Sequence, residues 1–147
     1  QEHATSAVTA AVHMLRCLRS MNEWSVEHGL PEVNIRCGIH TGRVLVGNMG
    51  FRSRMKYGVV GEDSEIPSFL EEMNKSYSTK LLISHETVSR LSPESFIVRP
   101  IDCVYLREAS PGDSSREPEV VYEVLDRNAS DSKSQQLTEA AEVHAVA

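Results

Sequence analysis

The sequence predicts an α+β fold, a sheet with helices packed on it. Two patterns carry this reading. Apolar residues recur at helical spacing over residues 5–24, whereas Val33, Ile35, Cys37 and Ile39 alternate with Asn34, Arg36, Gly38 and His40. The first pattern is that of an amphipathic helix and the second that of a strand with one buried face. Further strands, a second amphipathic helix and more strands follow, an order that suits stacked layers, α+β or α/β. The 147 residues, 40% hydrophobic and 24% charged, suffice for one domain with a real core.

Taken in order, the first helix has Ala7, Ala11, Met14, Leu15, Leu18 and Met21 on one face, and Gly29 with Pro31 stops it. The strand over residues 33–39 breaks at Thr41-Gly42-Arg43, and Val44-Leu45-Val46 resumes an extended run, which reads as a tight hairpin. Gly47 and Gly50 frame a loop bearing Arg52, Arg54 and Lys56, and residues 55–60 form another strand ended by Gly61. Ser64 is placed to cap a second helix with Ile66, Phe69, Leu70 and Met73 on its face, and Pro67 falls in its tolerant first turn. Leu81-Leu82-Ile83 reads as a short buried strand, and Ser84 as the cap of a helical turn over residues 85–91. Residues 96–98, 101–106 and 120–125 read as further strands, with a polar loop over 109–118. The domain is expected to span residues 1–126, with residues 127–147 a polar tail or linker.

Composition narrows the partners. A formal net charge of −6 argues against a nucleic-acid surface, which would be basic. No run of 18 apolar residues occurs, so no segment is expected to span a membrane, and no secretory leader is visible. Cys17, Cys37 and Cys103 show no metal-ligand spacing and read as reduced, buried thiols. The six histidines show no HExxH-type pairing, so a zinc site is not expected.

The stretch Ile35-Arg36-Cys37-Gly38-Ile39-His40-Thr41-Gly42-Arg43-Val44, followed by Gly47 and Gly50, resembles the signature of class III adenylate and guanylate cyclases. The resemblance continues through Lys56-Tyr57, Gly61-Glu62-Asp63-Ser64, Leu70-Glu71, Asn74-Lys75 and Leu82-Ile83-Ser84, and ends at residues 104–107 and 122–125. It implies a ferredoxin-like core that dimerises head to tail, with sites shared across the interface. Such a site converts ATP or GTP to a 3′,5′-cyclic nucleotide and pyrophosphate. Two Mg or Mn ions, held by two aspartates, activate the ribose 3′-hydroxyl and offset charge on the phosphates. The opposite subunit contributes base-selecting residues and an Asn-x-x-x-Arg pair.

The resemblance places both metal aspartates on strands before the first helix, so no metal ligand is expected in this chain. Those N-terminal strands would also fill the middle of the sheet, and a chain lacking them is expected to be poorly soluble or to borrow strands. Glu65 and Phe69 occupy the Asn and Arg positions, and neither can do that work: a carboxylate repels polyphosphate, and a phenyl ring has no donor. Gly58 occupies the base-selecting position without a side chain, and Glu62 replaces an aspartate. Arg107 stands where the family has a phosphate-binding lysine, a candidate phosphate contact, and Glu108 replaces the glycine after it.

Plain structural roles compete with each of these. Phe69 shares helical spacing with core positions, and Glu65 suits a helix N-terminus. His40 reads as a turn or interface residue, Glu62 and Asp63 as loop and cap, and the basic cluster as a solvated loop or salt-bridging dimer arm. The expected function is a half-site cyclase subunit that needs a homo- or heterodimer partner and binds ATP or GTP only in a completed site. The alternative is an inactive, cyclase-like regulatory or dimerisation domain, and shared ancestry without either role ranks third. An intracellular location on the cytosolic side goes with either of the first two.

Overall fold

The computed structural model describes residues 2–92, 94–107 and 117–127. Helix α1 spans Glu2–Glu27, and strand β1 is Cys37–Ile39. Strands β2, Leu45–Phe51, and β3, Arg54–Val60, precede a 3-10 turn at Glu62–Ser64 and helix α2, Ile66–Tyr77. Strand β4, Leu81–Ser84, short helix α3, His85–Val88, and strands β5, Phe96–Val104, and β6, Glu119–Arg127, complete the order.

Four strands form a mixed sheet in the order β1-β4-β6-β5. β1 runs parallel to β4, while β4 and β5 both run antiparallel to β6. Alternation along β4 explains the two layers. Leu81 and Ile83 join Val8, Ala11, Val12 and Val124 beneath α1, whereas Leu82 joins Ile66, Leu70, Leu106 and Val121 beneath α2. A strand covered on both faces needs an unbroken apolar run, which is what Leu81-Leu82-Ile83 supplies. The predicted α+β sheet with packed helices is present.

Several local expectations are corrected. The buried face of α1 centres on Ala4, Val8, Ala11 and Val12, while Ala7, Met14 and Met21 are exposed. Residues 33–36 stay out of the sheet. The Asn22 side chain holds the Val33 main chain through bonds of 2.9 and 2.7 Å, tying that segment to α1. The hairpin is not β1 with its successor. Instead β2 and β3 pair with each other through a two-residue turn, with Phe51 opposite Arg54, as a separate two-stranded unit. Gly47 and Gly50 therefore lie inside β2 rather than in a loop.

Ser64 does not cap α2, because its hydroxyl donates to the Gly61 carbonyl at 2.5 Å, and Glu65 takes the cap position. Ser84 does cap α3, accepting from the Thr87 amide at 3.3 Å, but that helix stops at Val88. Residues 96–104 form one strand rather than two. Pro100 is accommodated because β5 is an edge strand, with register shifts on either side. The cysteines are free, yet Cys17 and Cys103 are exposed and Cys37 only half-buried, contrary to the expected burial. The loop after Arg107, including Glu108, and the tail beyond residue 127 lie outside the described residues.

Candidate functional site

The site gathers where β1 ends, where the 3-10 turn meets α2, and where the chain leaves β5. Gly38 allows α2 to cross directly over β1: a Cβ there would stand 2.1 Å from the Pro67 carbonyl oxygen and 2.6 Å from the Glu71 amide nitrogen. That close crossing sets the turn carrying Asp63 beside the end of β1. Gly42 then makes room for the Asp63 carboxylate itself, which a Cβ would meet at 2.3 Å.

Asp63 is the hub. Its Oδ2 accepts from the Arg43 amide at 2.6 Å. Its Oδ1 accepts from Arg107 Nη2 at 2.9 Å and Nε at 3.2 Å. Arg107 Nη1 donates to Glu119 Oε1 at 2.8 Å. Burial alone would push the Asp63 carboxyl up, but the Arg107 guanidinium and the Arg43 amide outweigh it and hold the carboxyl below its usual range. The same Asp63 contact keeps Arg107 firmly charged.

His40 sits behind this pair rather than in an exposed turn. Its side chain is 1% exposed. Nδ1 lies 2.8 Å from Ser84 Oγ, and Nε2 lies 3.8 Å from Asp63 Oδ1 without a hydrogen-bond partner. Burial lowers the His40 pKa against the upward pull of Asp63, so the ring is neutral at pH 7. Ser84 in turn meets Thr87, which reaches Thr41 at 3.1 Å, closing a polar chain between β1, β4 and α3.

Among the described residues, none of the remaining predicted positions joins this cluster through a side-chain hydrogen bond. Glu65, at the α2 cap, and Phe69, one turn on, are both exposed on the side of α2 away from Ile66, Leu70 and Asn74. Phe69 is thus not a core residue, since only Ile66, Leu70 and Asn74 of this helix are buried. Gly58 on β3 faces Gly47 on β2, and a Cβ at either would meet nothing within 4 Å. Arg107 is joined to Asp63 and Glu119, two partners that sequence spacing did not reveal. Pairs 44 and 12 positions apart leave no periodic signal.

For the divalent ions implied by the resemblance, the described residues offer no cradle. No three His, Cys, Asp or Glu side chains among them converge on one point. Both Asp63 oxygens are already engaged by Arg43 and Arg107.

The sequence and the fold resemble those of known proteins. Residues 1–125 match the family described as the adenylate and guanylate cyclase catalytic domain, and the chain belongs to that family. It is 37% identical over 101 residues to an adenylate cyclase of Anabaena cylindrica, covering 65% of this chain and 20% of that protein. It is 38% identical over 88 residues to adenylate cyclase 1 of Rhizobium meliloti, covering 60% and 13% respectively. The chain thus spans a fifth or less of the length of these two relatives. Among solved structures, the adenylyl cyclase CyaB from P. aeruginosa superposes with a TM-score of 0.64 at 32% identity, over 84% of this chain and 59% of that one. The guanylyl cyclase Cya2 superposes with a TM-score of 0.63 at 28% identity, over 88% and 61%. Among the described residues, no helix is long and apolar enough to cross a membrane.

Proposed function

We propose that this chain belongs to a half-site cyclase subunit, one that forms cyclic nucleotide only when another cyclase domain supplies the Asn and Arg functions. The observation that carries the reading is the α2 surface. Glu65 and Phe69 stand exposed on one side of that helix, where a nucleotide held by a facing subunit would be met. Neither can orient a ribose or stabilise developing phosphate charge, and losing one such donor costs about 2.7–4 kcal/mol of barrier. Gly58 leaves the base unread, since it has no side chain of its own and stands opposite a second glycine, Gly47. Arg107 supplies the one candidate phosphate contact among the positions named by the resemblance. In this reading the two metal-holding aspartates lie in the same subunit, on strands N-terminal to α1.

A partner surface accompanies this reading. The β2–β3 hairpin exposes Leu45, Phe51, Met55, Tyr57, Val59 and Val60, a run of apolar side chains outside both core clusters. Phe51 and Tyr57 are 78% and 70% exposed, which suits a surface that is covered on association. The same surface also suits the second reading, a non-catalytic dimerisation or regulatory domain.

Cyclic nucleotide formation from ATP and from GTP with manganese, by the intact protein alone, separates the cases. The wild type is expected to be silent, and E65N/F69R to gain measurable turnover. Turnover by the wild type alone would sink the half-site reading. Silence of E65N/F69R, with the protein folded and dimeric, would favour the non-catalytic one.

A further inference from the structure

We infer that Asp63 and Glu119 form an internal anion clamp on Arg107, so that a polyphosphate must displace Asp63 before Arg107 can bind it. The inference rests on the reading of Arg107 as the phosphate contact and adds a control over that contact.

The hydrogen-bond geometry carries it. A guanidinium has five N–H donors, and its side fork, Nε with Nη2, matches one carboxylate or phosphate. Here that fork closes on Asp63 Oδ1, at 3.2 and 2.9 Å. The remaining terminal nitrogen, Nη1, reaches Glu119 Oε1 at 2.8 Å. Two carboxylates face one guanidinium, so the immediate cluster carries a net negative charge while the His40 ring beside it is neutral. An incoming polyanion meets that charge and finds the side fork occupied.

The clamp is also stiff. Asp63 is fixed by the Arg43 amide on its other oxygen, by the contact Gly42 permits, and by its place in the turn at Glu62–Ser64. Its side chain is 15% exposed, whereas that of Arg107 is 40% exposed. The guanidinium is therefore the member open to an outside anion, and Asp63 the anchored competitor.

Asp63→Asn is the informative change. The asparagine oxygen can keep the Arg43 bond while its NH2 group replaces the oxygen that faces Arg107. One charged acceptor is lost without a change of shape. The probe is inorganic tripolyphosphate, titrated calorimetrically into the intact protein with EDTA present, so that metal-dependent binding does not enter.

D63N is expected to bind at least about tenfold more tightly than wild type, the size of losing one charge-assisted competitor. D63N/R107Q is expected to lose that gain. Should D63N fold poorly, Glu119→Gln tests the same clamp from the other arm, with a smaller gain expected. If R107Q lowers binding but neither D63N nor E119Q raises it, the clamp is overturned and Arg107 stays a phosphate contact. If D63N binds more weakly, Asp63 positions Arg107 for phosphate, which also overturns the clamp. If R107Q changes nothing in either background, the phosphate reading of Arg107 itself falls, and the clamp with it.

Discussion

Gly38 shows how much one hydrogen atom in place of a methyl group decides here. The close crossing of α2 over β1 places main-chain atoms, not a flexible side chain, against its Cα. Gly38→Ala is therefore expected to destabilise the fold by about 3 kcal/mol, read as a fall in the melting midpoint. Gly58 is the counterexample, since open space surrounds it, and Gly58→Thr is expected to leave the midpoint nearly unchanged. His40 gives a pH signature. Its folded pKa lies below its ordinary value of 6.5, so the unfolded chain binds the proton more readily. The neutral ring's contribution is complete above pH 6.5 and is lost as pH falls toward the lowered folded value. His40→Asn should flatten that acid arm of the stability curve, while the carboxylate contribution of Asp63, whose ordinary pKa is 3.8, fails only further down.

At the scale of elements, β4 holds the two cores together. Leu82 is fully buried between α2 and β6, and Leu82→Ala is expected to cost about 2–5 kcal/mol in denaturant unfolding. Ser84→Ala removes both the α3 cap and the Nδ1 partner of His40, at a cost of about 0.5–2 kcal/mol from the cap alone. The elements were legible where the pattern was local: the apolar run of β4, the extended run of β3 ended by Gly61 and the existence of both long helices. The α1 face was legible only in part, through Ala11 and Leu15, because two apolar stripes run side by side on the helix. One runs through Ala7, Met14 and Met21, the other through Val8, Val12 and Leu15, and only packing against Leu81, Ile83 and Val124 selects the second. The hairpin was misassigned because β1 and β2 are neighbours in sequence, whereas β1 pairs with β4 more than 40 positions later.

For the whole molecule, family membership and sheet architecture followed from an ordered series of short motifs, each weak alone. The Asp63–Arg107–Glu119 cluster did not, since it depends on a 3-10 turn, the exit from β5 and the start of β6 meeting in space. Phe69 was misread for a related reason: periodicity places it at the border of the apolar face, and the sheet reaches only as far as Ile66 and Leu70. Association belongs to this scale too. Phe51→Asp with Tyr57→Lys is expected to leave monomer stability little changed, because both side chains are already exposed. The same pair of changes should shift sedimentation toward monomer, and unchanged sedimentation would count against the hairpin as a partner surface.

The hairpin also reports on itself. It pairs with no strand of the main sheet, so it can open while the two cores stay closed. Its tip carries Arg52, Arg54 and Lys56, all exposed, within five consecutive positions. Brief trypsin digestion should therefore nick this arm early, leaving two fragments that still co-elute through β1 and β4. The rate of that nick gives a footprint of occupancy: fast cutting marks a bare arm, and slow cutting marks one lying under another protein.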